Sequence, residues 1–159
     1  MLELLYATGI RVSELISLNI NDINTALGFV RCKKGSAERV IPMYPAAISA
    51  IDNYIRTARP LLINSPTEEA LFVNLNGIRI TRQGFWKIIK HYQEASGIKT
   101  EITPHVLRHS FAAHLLENGA DISVIKEILG HSDISSTLVY AQLIKNNLKN
   151  TYIKFHPRA

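Results

Sequence analysis

The first forty residues alternate apolar stretches with turn residues, a pattern that predicts short helices followed by a small β-hairpin. The opening apolar stretch is interrupted at Gly9, so we predict two short helices joined by a turn at Thr8-Gly9. Residues Phe29–Cys32 and Arg39–Ile41 have strand character and flank a turn-forming segment. They predict a hairpin with Lys34 near its tip.

The middle of the chain predicts one long helix and a short extended segment. Pro45 is a favourable first residue for a helix that runs to Arg59, and Pro60 is expected to end it. A brief strand is predicted at Leu71–Val73, followed by a turn at Asn76-Gly77.

The rest of the chain is predicted to be helical, because capping residues and glycines divide it into helix-length pieces. These helices run from Thr81 to about Ser96, from Pro104 to Asn118, from Asp121 to Gly130 and from about Ser135 to Leu143. The tail from Lys145 continues the helical pattern. We therefore expect a mainly α protein with a small antiparallel β-sheet, an α+β fold, in one domain spanning residues 1–159.

Composition is that of a globular domain with a basic surface. Hydrophobic residues make up 47% of the 159 residues and charged residues 19%, which suits one buried core. The net charge of +5 and the pI of about 9.4 favour a polyanionic partner such as nucleic acid. The single cysteine, Cys32, excludes an internal disulfide and suggests a reducing, cytoplasmic location. With no signal peptide and no apolar run of ~20 residues, no membrane association is expected.

Six residues spread along the chain together have the chemistry needed to cut a phosphodiester. They are Arg11, Lys34, His105, Arg108, His131 and Tyr140. Arginine forks bind pairs of phosphate oxygens, imidazole and amine groups transfer protons, and a phenol can attack phosphorus. This set of side chains predicts a phosphodiester that arginines hold and tyrosine attacks.

Three of the six also have ordinary structural explanations. Arg11 can form a surface ion pair with Glu14, three residues on, and such pairs contribute little stability. Arg108 can be a surface charge and His105 a helix-start histidine that caps its own backbone. Their spacing of three places both on one face of a helix, which keeps the functional alternative open.

The other three are similarly open when taken alone. Lys34 is either a solvated turn lysine or a mobile acid that protonates a leaving alkoxide. His131 follows a leucine and a glycine at a helix end, where it either caps the helix or carries a proton favoured by the dipole. Tyr140 is either a core tyrosine or a nucleophile, and its phenol, with a pKa of about 10, needs a cationic pocket to attack.

Other kinds of active site fit the sequence poorly. The histidines lack the H-E-x-x-H pattern or the cysteine pair of a zinc site, and His109 and His114 are assigned to structure. The segment Cys32-Lys33-Lys34-Gly35 lacks the glycines of a phosphate-binding P-loop. No serine stands in a nucleophile elbow. We therefore expect no metal and no cofactor.

The order and local context of the six residues resemble those of a known family. The resemblance lies in L-Y-A-T-G-I-R-V-S-E-L at positions 5–15, P-H-V-L-R-H at 104–109, L-G-H-S at 129–132 and T-L-V-Y at 137–140. Lys34-Gly35 followed by Glu38-Arg39, and the closing H-P-R-A, add to it. Over nearly its whole length the chain is similar to the catalytic domain of tyrosine recombinases, the phage integrase family, most closely to the bacterial Xer type.

The resemblance implies roles for the residues that would meet the scissile phosphate. Arg11 and Arg108 would hold the phosphate, and His131 would hydrogen-bond one of its oxygens. Tyr140 would attack phosphorus and form a 3′-phosphotyrosyl bond.

The resemblance also implies how protons move and what the reaction achieves. His105 would act in proton transfer, and Lys34 would protonate the leaving 5′-oxygen. Because the phosphotyrosyl bond conserves the energy of the cut bond, rejoining would need no ATP. The implied function is site-specific recombination of double-stranded DNA, as in chromosome or plasmid resolution or in the integration of mobile elements.

Two departures from the family pattern leave alternatives open. The chain starts inside a helical pattern, so we expect that the family's N-terminal core-binding domain and the first helix of the catalytic domain are missing. Cys32-Lys33 stands where glycine often precedes the hairpin lysine, which favours Lys34 over Lys33 as the acid. The alternatives are a DNA-binding fragment without catalytic activity and a strand-relaxing enzyme like a type IB topoisomerase.

The tail after Leu143 is basic and amphipathic. Its apolar residues recur at spacings of three and four: Ile144, Leu148, Tyr152 and Phe155. This apolar face either covers the chain's own core or, as the resemblance implies, packs on a neighbouring subunit. The second alternative predicts a homo- or hetero-tetramer on paired DNA sites.

Overall fold

A computed structural model describes residues 1–34 and 37–130, and within these ranges helices pack with a three-stranded antiparallel sheet. The helices are α1 (Leu2–Thr8), α2 (Val12–Ser17), α3 (Pro45–Asn53), α4 (Arg59–Leu62), α5 (Arg82–Ala95), α6 (Pro104–Glu117) and α7 (Ile122–Leu129). The strands are β1 (Ile23–Asn24), β2 (Phe29–Lys34) and β3 (Ala37–Pro42). The predicted mainly α fold with a small sheet is confirmed. The predicted helix at 135–143 and the tail lie outside the described residues.

The predicted break at Gly9 is present and places two pairs of helices in contact. Gly9 ends α1 in the left-handed conformation, with φ of 58°, and its N–H bonds to the carbonyl of Leu5. A side chain at Gly9 would collide with the ring of Phe111 on α6 and touch Leu129 on α7. Glycine therefore meets two requirements here, a positive φ and close packing. The turn between α1 and α2 lies directly against α6 and α7.

The predicted hairpin is present, with strands longer than the apolar pattern indicated. Its register runs from Phe29 paired with Pro42 to Lys34 paired with Ala37. The third strand, β1, was not predicted, since two residues are too few to show an alternating pattern. β1 pairs only with Phe29 and Val30, at the end of the hairpin far from its turn.

The strand predicted at Leu71–Val73 is wrong, because this segment forms only isolated bridges. Ala70 bridges Asn19, and Val73 bridges Arg79. The chain reverses immediately after Val73, where Asn74 N–H bonds to the carbonyl of Ile78 at 2.8 Å. The turn leaves too few residues for a ladder. The predicted turn at Asn76-Gly77 is confirmed, with Gly77 at a φ of 72°.

The prediction that Pro60 ends its helix is also wrong. The helix that begins at Pro45 passes through a π-helical turn, Tyr54–Ala58, and continues as α4 to Leu62. Arg59 N–H bonds to the carbonyl of Tyr54, five residues back. Proline in a regular helix clashes with the preceding turn and lacks the N–H needed there. The wider turn just before Pro60 absorbs this misfit.

The predicted boundaries of the three remaining described helices are confirmed by their caps. Thr81 accepts a hydrogen bond from Gly84 N–H before α5, and Thr103 accepts one from Val106 N–H before α6. Asp121 accepts one from Ser123 N–H before α7. Each side chain satisfies an N–H group that the helix itself leaves unpaired.

Two apolar clusters hold these elements together. The larger joins α1, α2, the hairpin, α3 and α5, with members such as Leu5, Leu15, Ile41 and Phe85. The smaller joins α6 and α7: Phe111, Ala112, Leu116, Ile125 and Leu129. No helix in the described ranges is long and apolar enough to span a bilayer. The clusters meet at the turn before α2, which is where the candidate site lies.

Candidate active site

A cavity of about 870 Å³ opens where α2, α5 and α6 begin. Its lining includes six basic side chains, which are three arginines, one lysine and two histidines: Arg11, Arg82, Arg108, Lys87, His105 and His109. Apolar walls come from Ile10, Val12, Phe85, Trp86 and Pro104. The cavity therefore combines basic side chains with apolar walls, as a pocket that orients an anion would.

The helix starts themselves add to this positive potential. The residues immediately before or within the first turns of α2, α5 and α6 line the cavity. The amino ends of helices carry partial positive charge and unpaired N–H groups, which favour phosphate and other anions. Among the described residues, no aspartate or glutamate lines this cavity. The cavity therefore suits an anionic group such as a phosphate.

Three of the six predicted site residues come together here. Arg11, His105 and Arg108 line the cavity, although 94 residues or more separate the first from the other two in the chain. Lys34 is the last residue of β2, and its backbone pairs with Ala37. His131 and Tyr140 lie outside the described residues.

Arg108 is buried rather than a surface charge, with 8% of the residue exposed. One Nη donates to the carbonyl of Gly9, and the other donates to the carbonyl of Leu129 at 2.7 Å. The neighbouring apolar residues Phe111 and Ala112 on α6 fix the helix against α7. A guanidinium held by two carbonyls in a buried setting has little freedom to turn. Arg108 is therefore held in a fixed position where it lines the cavity.

Arg11 is more exposed than Arg108. It pairs with Glu14 as its spacing predicted, but the carboxylate of that pair is buried. Their side chains approach to 3.5 Å, with 33% of the Arg11 side chain exposed but only 8% of that of Glu14. The Arg11 backbone N–H also donates to Glu14, and Arg11 Nη2 donates to the carbonyl of Gly130 at 3.2 Å. The pair is therefore local but only partly exposed, because its carboxylate is buried while its guanidinium lines the cavity.

Glu14 is shared with a second arginine that the sequence did not single out as functional. Arg39 Nη1 and Nη2 donate to the two carboxylate oxygens of Glu14 at 2.7 and 3.0 Å. Burial raises the pKa of Glu14, but hydrogen bonds from Arg39 and from the Arg11 backbone, with both positive charges, leave that pKa below its ordinary value. Glu14 is therefore a carboxylate that holds two arginines in place.

Three arginines converge on consecutive carbonyls at the end of α7. Arg39 Nε donates to Ile128, Arg108 Nη2 to Leu129 and Arg11 Nη2 to Gly130. The last carbonyls of a helix have no partner within it and form its negative end. These carbonyls hold guanidinium groups that would otherwise repel one another. Gly130 is followed directly in sequence by His131.

The structural role predicted for His109 and His114 holds for only one of them. His109, which was assigned to structure, lines the cavity with His105, one helical turn away. His114 does have a structural contact, because its Nδ1 lies 2.6 Å from the hydroxyl of Tyr6. Among the described residues, no three histidine, cysteine, aspartate or glutamate side chains group as a metal site requires.

Sequence reasoning also missed the contribution of α5. Arg82, Trp86 and Lys87 all line the cavity. The available signal was the first turn of α5, which contains an arginine and no acidic residue. Helices more often begin with acidic side chains, so a basic start points to an external anion.

We predict that Glu14→Gln lowers the free energy of unfolding by about 3 kcal/mol at neutral pH, because it leaves the mostly buried Arg39 and the partly buried Arg11 without their counter-charge. Since the folded-state pKa of Glu14 is lowered, its stabilising contribution is full above its unfolded pKa. It is lost as the pH falls through the folded-state value. Denaturant titrations between pH 7 and pH 3 should therefore show a weaker acid dependence in the variant than in the wild type.

Glu101→Gln provides the matched control for this measurement. Glu101 also pairs with a cation, Lys90, at 3.3 Å, but 67% of its side chain is exposed. Its replacement should change stability by less than ~1 kcal/mol. Equal effects of the two substitutions would contradict the structural role of Glu14.

Comparison with known proteins gives a consistent picture. Residues 1–147 match the model of the phage integrase family. The chain is 56% identical over 161 residues to the tyrosine recombinase XerD of Oceanobacillus iheyensis, and 51% identical over 160 residues to that of Staphylococcus epidermidis. Each match covers 100% of this chain and 54% of the relative. The chain thus spans about half the length of the curated relatives it matches.

Solved structures share the fold. The crystal structure of XerA recombinase superposes with a TM-score of 0.83 at 31% identity, covering 98% of this chain and 57% of that one. The catalytic domain of bacteriophage HP1 integrase gives a TM-score of 0.65 at 25% identity, covering 98% and 80%. XerH bound to its difH substrate gives a TM-score of 0.78 at 24% identity, covering 94% of this chain and 43% of that one. At this identity the similarity concerns the fold alone.

Proposed function

Since the chain belongs to the phage integrase family, we propose that it cuts and rejoins double-stranded DNA at specific sites through a phosphotyrosyl intermediate. The observation that carries this proposal is the basic cavity in which Arg11, His105 and Arg108 meet at the starts of three helices. Residues 1–159 would form the catalytic domain, acting in the cytoplasm on chromosomal, plasmid or mobile-element DNA.

The two arginines would hold the scissile phosphate. The Nη groups of Arg108 donate to the carbonyls of Gly9 and Leu129, and Arg11 Nη2 donates to that of Gly130, so both guanidiniums are held beside the cavity they line. Donors fixed before the substrate arrives stabilise the charge that develops on phosphorus oxygens in the transition state. His131, which directly follows Gly130, would hydrogen-bond a further phosphate oxygen.

The bond changes would involve Tyr140, Lys34 and His105. The Tyr140 oxygen would form a bond to phosphorus as the bond from phosphorus to O5′ breaks, and the electron pair would pass to O5′. Lys34 would supply a proton to O5′, and His105, which lines the cavity, would accept the proton that the Tyr140 phenol loses as it attacks. The reverse sequence, with a 5′-hydroxyl of another strand as nucleophile, would rejoin the DNA.

Covalent trapping tests this function. The full-length protein is incubated with a suicide DNA substrate, nicked beside the scissile phosphate so that the leaving fragment diffuses away. We expect a denaturation-resistant protein–DNA adduct, and peptide mapping should locate it at Tyr140. Stable DNA binding without an adduct would instead support the alternative of a non-catalytic DNA-binding fragment, and relaxation without site preference would support a topoisomerase-like activity.

DNA binding by residues 1–159 is expected to be weak and to decrease steeply with salt, because phosphate contacts release counterions. Lys87 lines the cavity and is exposed. Lys87→Ala should reduce the slope of log affinity against log salt by about 0.9, the value for one phosphate contact on duplex DNA. Titrations at several salt concentrations measure this slope. Lys99→Ala is the control on an exposed lysine outside the cavity lining, and an equal change there would contradict the assignment.

Assembly is a separate proposal that depends on the sequence of the tail. Its basic, amphipathic pattern after Leu143 suits packing on a neighbouring subunit, which would give a homo- or hetero-tetramer on paired DNA sites. These residues lie outside the described part of the chain.

A further inference from the structure

We propose that Arg39 is a positioning residue for strand cleavage: it fixes the β2–β3 hairpin so that Lys34 delivers its proton to the leaving O5′. Arg39 does not line the cavity in which Arg11 and Arg108 meet. Arg39 would act indirectly, because its contacts with Glu14 and the end of α7 hold the hairpin in place. The inference rests on the proposed function, in which Lys34 is the proton donor.

Arg39 occupies a position where the strand pattern calls for an apolar residue. Side chains along β3 alternate between faces, and Ile41 is buried while 57% of Val40 is exposed. Arg39 therefore follows on the inward face, opposite the buried Cys32. The apolar residue points outward and the charged residue inward. Apolar packing does not stabilise a guanidinium on the inward face, so its polar contacts must do so.

Those contacts join the hairpin to two other elements. Arg39 binds both carboxylate oxygens of Glu14 on α2, at 2.7 and 3.0 Å, and its Nε donates to the carbonyl of Ile128 on α7 at 2.8 Å. A bidentate pair fixes the plane of the guanidinium as well as its position. Gly130 covers the group so closely that a Cβ there would lie 2.8 Å from Arg39 Nη1. Only 14% of the Arg39 side chain is exposed.

The outer half of the hairpin has little other support from the sheet. The third strand pairs only with Phe29 and Val30. Lys34 pairs with Ala37 two residues beyond the pair of Cys32 with Arg39. At about 3.3 Å per residue, the lysine backbone lies ~7 Å past the Arg39 anchor. Rotation of the hairpin about its inner end would therefore displace Lys34 unless Arg39 holds it.

Loss of Arg39 should affect the hairpin lysine more than the phosphate-binding arginines. Arg11 holds Glu14 through its own backbone N–H at 2.7 Å and bonds directly to Gly130. Arg108 bonds directly to Gly9 and Leu129. None of these contacts passes through Arg39. The expected defect is therefore in proton delivery, which can be measured separately from phosphate binding.

The test compares two leaving groups in the full-length protein. Suicide substrates carry either the natural oxygen or a sulfur at the 5′ bridging position. A thiolate, whose conjugate acid has a pKa of about 8.5, leaves without a proton donor. Arg39→Met should cleave the oxygen substrate ~10²-fold more slowly than wild type, which is the loss expected when a catalytic group is displaced by about 1 Å. It should cleave the sulfur substrate at nearly the wild-type rate, as Lys34→Ala should.

Arg59→Met is the matched control for a buried arginine with a structural role. Arg59 is 5% exposed and donates to the carbonyls of Ala70 and Glu68, away from the cavity lining. Its replacement should lower the melting temperature without changing the ratio of the two cleavage rates. If Arg39→Met does not fold, Arg39→Lys, which keeps the charge and loses the fork, is compared in the same way.

The outcomes separate this inference from the function on which it rests. If wild type forms an adduct and the Arg39 variant is slowed equally on both substrates, or is unaffected on both, Arg39 does not position the proton donor. If wild type forms no adduct with either substrate, the proposed function itself fails.

Discussion

Replacing Tyr140 with phenylalanine is expected to abolish covalent attachment of DNA while leaving duplex affinity almost unchanged. The substitution keeps the aromatic ring and removes the one oxygen atom that would attack phosphorus. Arg11 and Arg108 would still hold the phosphate, because their contacts with Gly9, Leu129 and Gly130 do not depend on the phenol. The adduct is measured on denaturing gels with the suicide substrate, and affinity by titration.

Tyr92→Phe is a suitable control for this experiment. Tyr92 lies on α5 outside the cavity lining, and 55% of it is exposed. Its replacement should leave the adduct unchanged. An adduct that persists in Tyr140→Phe would falsify the assignment of the nucleophile, and peptide mapping would then identify the attacking residue.

The second large effect is expected for Arg108. Arg108→Ala should slow cleavage by about 10²–10³-fold, the loss typical for one fixed donor to a developing negative charge. Duplex affinity should fall much less, since many other contacts to the phosphate backbone hold the DNA. Cleavage rate and affinity are measured separately on the same substrate. Equal losses in both would mean that Arg108 only binds DNA.

Burial of Arg108 adds a structural consequence that the sequence did not indicate. Its removal leaves the carbonyls of Gly9 and Leu129 without these donors, at a cost of about 1–3 kcal/mol for each buried unpaired group. Thermal unfolding should therefore accompany the kinetic measurements. Arg108→Lys keeps the positive charge but loses the planar fork. We expect it to bind DNA with nearly wild-type affinity and to remain strongly impaired in cleavage.

Most helix boundaries were predictable because they depend on residues close together in the chain. Thr81, Pro104 and Asp121 start helices through contacts within one turn, and Gly9 ends α1 through its own φ. Two predictions of elements were wrong: the helix end at Pro60 and the strand at Leu71–Val73. A π-helical turn accommodates Pro60, and a reversal after Val73 leaves no partner for a strand.

The candidate residues were predictable from their order and local motifs, but their setting was not. Arg11 and Arg108 each had an ordinary explanation as surface charges. The structure places Arg108 in the interior and Arg11 against a buried carboxylate. The cations of α5 and His109 were missed, since nothing in a linear pattern shows that three helix starts share one cavity.

The sequence by itself determined the mainly helical fold, most element boundaries, the family resemblance and the set of candidate residues, because caps, turns and motifs act over short distances along the chain. Only the tertiary structure decided how the arginines are held. Glu14 meets Arg39 across 25 residues, Arg39 meets Ile128 across 89, Arg108 meets Gly9 across 99 and Arg11 meets Gly130 across 119. Such contacts form when the apolar faces of distant helices pack together, and that packing brings the end of α7 to all three guanidinium groups.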